Sequence, residues 1–218
     1  MQDHPRLLSC GAIRLAPIAP YAGFIFEIDI KLDGKERMMT RIPKPIGYDT
    51  FDVEPFAEYR ASLPDIFNRV PDPVIETWIY RHWSDFQSWL KLNPLNWRYS
   101  LTSLSSEEIT KISHVNDWPD TLRYWGDDLF DGNSRKTTWL GRYMLKYGTT
   151  PTPMIVAVGA GLIEHPRELG YTMIEPYQII EGHMRLAYLQ ALIRRHHPTT
   201  MEAHAVYLVE LPKNSETG

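Results

Sequence analysis

At 218 residues, with 43 % hydrophobic and 12 % aromatic side chains, the chain can bury a proper core as one large domain, or as a small domain with a long extension. Its formal charge of −4 excludes a global basic field that would draw in nucleic acid and leaves only a local basic groove for that purpose. A single cysteine, Cys10, excludes a disulfide framework and a cysteine-based zinc site.

No stretch approaches the ~18 apolar residues that span a bilayer, and Met1–Arg6 lacks the charged and apolar regions of a signal peptide. A soluble, cytoplasmic protein without a membrane partner is expected.

The first element is a strand over Gly23–Leu32, where Phe24, Phe26, Ile28, Ile30 and Leu32 alternate with charged residues. Asp33-Gly34 supplies a tight turn, and Glu36–Ile42 returns as the second strand of a hairpin. Residues 43–73 are rich in proline and read as loop with short helical pieces. Asp72 as N-cap and Pro73 at the first helical position start a helix. Ile75, Trp78, Ile79, Trp83, Phe86, Trp89 and Leu90 carry it at helical spacing to Leu92, and Asn93-Pro94 stops it. Its tryptophans are expected in a core or a partner interface rather than as a base-stacking platform.

Ser105 and Glu108 form a capping box for a short helix through Ile112. The polar, aromatic stretch to Asn133, including Asp127, Asp128 and Asp131, reads as a surface loop. Trp139 to Tyr147 is a helix closed by Gly148, Met154–Val158 a buried strand, and Tyr177–Ile180 a second strand. Leu186, Leu189, Leu192 and Ile193 continue as a helix with Arg194 and Arg195 in its last turn, and Ala205–Leu211 is a final strand. The expected class is α+β, with an N-terminal hairpin and helical extension over 1–130 and a small α/β domain over 131–218.

The strand–helix junction Glu181-Gly182-His183-Met184-Arg185 concentrates the chemistry. A glycine there lets a ligand approach the backbone, and the first-turn N–H groups of the helix favour an anion such as phosphate. Arg185 can add a bidentate fork. His183 can donate or act as general acid or base, and Glu181 can hold magnesium or take a proton from a nucleophile. The same residues also fit a plain structural turn, with Glu181 as a helix-start charge and Arg185 as an ion-pair partner. His196, His197 and His204 are expected to have no metal role, and Arg135, Lys136, Arg142 and Lys146 read as a solvated face before a nucleic-acid groove.

Thr138-Trp139-Leu140, Tyr147-Gly148 and Thr152–Val156, followed by Tyr177–Ala187, resemble the ParB/sulfiredoxin superfamily over Ser134 to Leu211. The resemblance implies a ParB/sulfiredoxin-like core that handles nucleotides. ParB proteins bind and hydrolyse CTP, sulfiredoxins use ATP, a related group phosphorylates free serine, and some members are nucleases. For this chain it implies ATP or CTP with Mg2+, phosphates lying against Gly182, His183 and Arg185, and Thr150 and Thr152 beside the nucleotide. Glu181, His183 and Arg185 would then be catalytic, with Glu181 at the metal. The block has no cysteine, which excludes sulfiredoxin activity, and it retains only Gly182 and Arg185 of the ParB Gly-Glu-Arg-Arg pattern. No helix-turn-helix signature follows. The alternative is a non-catalytic regulator of a plasmid, phage or toxin-related system, meeting DNA or a protein through its aromatic N-terminal part.

Overall fold

The computed structural model describes residues 26–31 and 37–211. Strands β1 (Phe26–Lys31) and β2 (Arg37–Ile42) pair antiparallel, Phe26 opposite Ile42, as the alternation predicts. The Asp33-Gly34 turn lies outside the described residues.

The proline-rich stretch holds α1 (Phe56–Ser62) and a 3-10 turn at Asp65–Arg69, entered from Pro55 and Pro64. Helix α2 (Asp72–Val74) begins one residue earlier than expected, with Pro71 as its N-cap. The Asp72 carboxylate is therefore not a cap and takes the Arg60 guanidinium at 2.7 Å. The predicted continuous helix is segmented. A wide π turn (Ile75–Tyr80) inserts an extra residue, His82 leaves the helical region (φ −126°), and α3 (Trp83–Trp89) follows with a 3-10 turn at Leu90–Leu92. This re-aims the chain so that Trp78, Trp83, Phe86 and Trp89 are all buried. Trp78, Trp89 and Trp97 pack ring on ring at 5.9–6.0 Å, so these tryptophans are core. Asn93 ends the run with a positive φ of 53°.

Strand β3 (Arg98–Ser105) has no counterpart among the predicted elements. The capping box forms at α4 (Ser106–Lys111): Ser105 N donates to Glu108 Oε2 at 2.8 Å, and Glu108 N donates to Ser105 Oγ at 3.2 Å. After the short β4 (Ile112–Ser113), the stretch read as a surface loop is a 14-residue helix, α5 (Trp118–Asp131). Pro119 sits in its first turn, and Leu122, Gly126 and Leu129 give it a buried stripe. Its carboxylates are tied to α7 (His183–Arg194) and the residue after it: Asp127 to Arg194 at 3.0 Å, Asp131 bidentately to Arg195. Helix α6 (Trp139–Tyr147) ends at Gly148 with φ 66°, as expected. Strands β5 (Met154–Val158), β6 (Tyr177–Glu181) and β7 (Ala203–Glu210) complete the elements.

A mixed five-stranded sheet runs β3-β7-β5-β6-β4, with β5 parallel to β7 and antiparallel to β6, and β4 parallel to β6. The alternation of the central strands feeds two cores. Ile155, Ala157, Ile180, Tyr207 and Val209 join the tryptophans of the N-terminal helices on one face. Met154, Val156, Ile179 and Val206 join α5, α6 and α7 on the other. The result is an α+β fold in which helices cover both faces of the sheet. Its strands come from both sides of residue 130: β3 and β4 precede that position, and the N-terminal helices share a core with β5, β6 and β7. Among the described residues no helix is long and apolar enough to cross a membrane.

Candidate functional site

Strand β6 is buried from Gln178 to Glu181 and stops at Gly182, whose φ of 101° turns the chain into α7. A Cβ at this position would lie 2.9 Å from Met154 Cγ and 3.1 Å from Arg185 Nε, so space as well as backbone conformation requires glycine. Arg185, one turn into α7 and 8 % exposed, folds back beside it. Its guanidinium pairs with Glu181 and donates to Thr152 Oγ1, to Thr152 O at 3.0 Å and to Pro153 O at 3.1 Å. Glu181, Arg185 and Thr152 thus form a closed brace that fastens β6, α7 and the turn before β5. The arginine is not an open fork here, because Glu181 and the turn take the hydrogen bonds of both terminal nitrogens.

The brace forms one wall of a cavity of about 640 Å3. Thr152, Glu181, Gly182, His183 and Arg185 all line it, whereas Thr150 is buried outside the lining. Three further groups complete the walls, none of them read as site residues from the sequence. Glu76, Arg81, His82 and Asp85 come from the break between the π turn and α3; Trp118 and Trp125 come from α5, with Trp139 from the start of α6; Arg167 comes from the connection after β5. They are far apart in sequence, and no local spacing links them. Arg81 pairs with Glu76 at 3.0 Å on the exposed rim, Arg167 pairs with Asp85, and His82 Nε2 lies 3.8 Å from Glu181 Oε1.

Behind His183 sit two more histidines. The His183 ring centroid is 5.2 Å from His114 and 4.9 Å from Trp118, and His114 is 4.7 Å from His165. Burial, reinforced by the charges of His114, Arg167, His165 and His82, pushes the His183 pKa down to about 3. Burial likewise lowers His165 to about 4 and depresses His114. All three rings are neutral at physiological pH, so His183 can donate or accept a hydrogen bond there but is not a charged acid.

The donor set argues against a protein-held metal. His165 Nδ1 accepts the backbone N–H groups of Arg167 and Glu168, at 3.3 and 3.0 Å, so the neutral ring carries its proton on Nε2, which has no hydrogen-bond partner. That nitrogen offers a proton where a metal needs a lone pair. The cavity carboxylates Glu76, Asp85 and Glu181 are each paired with an arginine. Among the described residues no three His, Cys, Asp or Glu side chains are grouped so as to hold a metal ion. His204 is buried and bridges Ser106 Oγ and Thr149 Oγ1 at 3.2 and 3.1 Å, while His197 contacts Thr199 Oγ1. Against this site and fold, no protein-family model, no curated protein and no solved structure matches the chain.

Proposed function

We propose that the chain has a ParB/sulfiredoxin-like core and binds a nucleoside triphosphate, ATP or CTP, in this cavity, where it transfers or hydrolyses the terminal phosphoryl group. The observation that carries the reading is the convergence, around one cavity of about 640 Å3, of the N-terminal turn of α7, two rim arginines and three indole side chains. That volume suits a nucleotide-sized ligand. First-turn N–H groups and the macrodipole favour phosphates at Gly182–Arg185. Arg81 and Arg167 line the cavity as ion pairs with Glu76 and Asp85, so phosphates would compete with those carboxylates for the two guanidinium groups, and an indole face of Trp125 or Trp139 suits a nucleobase.

Within this reading Arg185 and Glu181 act by holding the turn in shape, and His183 supplies a neutral imidazole at the phosphates. Magnesium bound by protein ligands alone does not fit the committed carboxylates, so it enters as the counter-ion of the triphosphate. Isothermal titration of ATP and CTP with Mg2+ into the wild type and Arg81→Ala tests the proposal. Wild-type binding that weakens about tenfold in Arg81→Ala is expected. No heat with either nucleotide would overturn it.

A further inference from the structure

Helix α6 turns a patterned face outward. Its inner side is taken by buried Gly141 and Met144. On the outer side Trp139, Arg142, Tyr143, Lys146 and Tyr147 recur at i, i+3, i+4, i+7 and i+8, the spacing that ordinarily marks the buried stripe of a helix. Here Trp139 is 64 % and Tyr147 47 % exposed, while Tyr143 between them is half-buried and rests partly on the core beneath α6. The rings form a ladder, with centroids 5.6 Å apart between Trp139 and Tyr143 and 4.6 Å between Tyr143 and Tyr147. The Lys146 ammonium lies 4.9 Å over the Tyr147 ring.

Charge points to the occupant. Although the chain carries −4 overall, its sequence has no Asp or Glu from Gly132 to Ile163, while Arg135, Lys136, Arg142 and Lys146 fall in that span. Arg135 is held by Asp128 at 2.6 Å. Among the described residues, Lys136, Arg142 and Lys146 have no carboxylate partner within salt-bridge distance, and Arg142 Nη1 donates instead to Thr137 O.

We infer that the outer face of α6 binds single-stranded nucleic acid, with bases stacking on Trp139, Tyr143 and Tyr147 and phosphates meeting Arg142, Lys146 and Lys136. Aromatic platforms interleaved with cations are what an unpaired strand needs. A duplex keeps its base faces covered, and an acidic peptide would use the cations and leave the rings idle. Trp139 is both the first rung and part of the cavity wall, so a strand lying along α6 ends at the cavity mouth. This inference does not depend on the nucleotide reading.

The test is fluorescence anisotropy with fluorescein-labelled oligothymidine and the full chain, at about 50 and 200 mM salt. Tyr147→Ala and the double change Arg142→Glu, Lys146→Glu lie away from the cavity on exposed positions, and circular dichroism checks that each is folded. The expected result is binding at low salt that falls steeply with salt. It should weaken about tenfold in Tyr147→Ala and by more in the charge-reversed variant, with a duplex of equal length binding at least about tenfold more weakly. No binding at low salt would overturn the inference, as would equal affinity for duplex or wild-type affinity in either folded variant. Displacement by polyglutamate at equal charge concentration would assign the face to an acidic protein instead. A concentration-dependent dimer abolished by Tyr147→Ala would assign it to a second copy of the chain.

Discussion

Glu181 at the end of β6 and Arg185 in the first turn of α7 are about equally buried, and a pair so placed is stabilising only while both members remain. Removing one leaves a buried charge, so Arg185→Ala should cost about 3 kcal/mol in urea denaturation, and the double change Glu181→Gln, Arg185→Met should recover most of it. Equal losses in the single and double variants would show that the brace is not what holds the turn. Gly182→Ala combines a positive φ with contacts to Met154 and Arg185 and should cost about 1–3 kcal/mol by the same measurement. The histidines add a pH signature. Their folded pKa values lie below the unfolded value of about 6.5, so the unfolded chain binds more protons below that pH. The contribution of these histidines is therefore constant above about pH 7 and falls as the pH drops from about 6.5 towards 4, by up to about 1.4 kcal/mol per pH unit for each of His165 and His183. Melting temperatures between pH 7.5 and 5 should show the decline, and His183→Gln should make it shallower.

At the scale of elements, α5 is held against α7 by close approach: a Cβ on Gly126 would meet the Ala187 carbonyl and the Ala191 methyl. Gly126→Ala should therefore destabilise by about 1–3 kcal/mol, although it raises helix propensity, whereas Asp131→Asn, on the exposed rim, should change stability by less than about 1 kcal/mol. What could be read from the chain follows the same division. The paired strands β1 and β2, the capping box at Ser105, the Gly148 cap, and strands β5 and β6 are written in adjacent residues, and each forms where the pattern puts it. Helix α5 was hidden because tryptophans, aspartates and a proline crowd its polar face, although Leu122, Gly126 and Leu129 carry the buried spacing. Strand β3 is a Ser- and Thr-rich edge strand with Leu101 exposed, and its alternation is faint. The junction from Glu181 to Arg185 was legible because a strand, a glycine and a helix start are contiguous. Arg81, His82, Trp118 and Arg167, which line the cavity, and His114 and His165, which pack behind His183, were not, since only the folded chain brings them together.

For the whole molecule, the sheet sets the site between its two helical layers. The N-terminal layer shares a core with β5, β6 and β7 and contributes Arg81, His82 and Asp85 to the cavity, while α5 and α6 contribute the indoles from the opposite layer. A ligand in this position would be enclosed by both layers, and binding should tighten residues far apart in sequence together. Hydrogen–deuterium exchange of the full chain, with and without ATP or CTP and Mg2+, tests this most directly. The account predicts coordinated protection at Gly182–Leu186, around Arg81–Asp85 and over the first turns of α5. Unchanged exchange in those segments at saturating nucleotide, or protection confined to other parts of the chain, would contradict it.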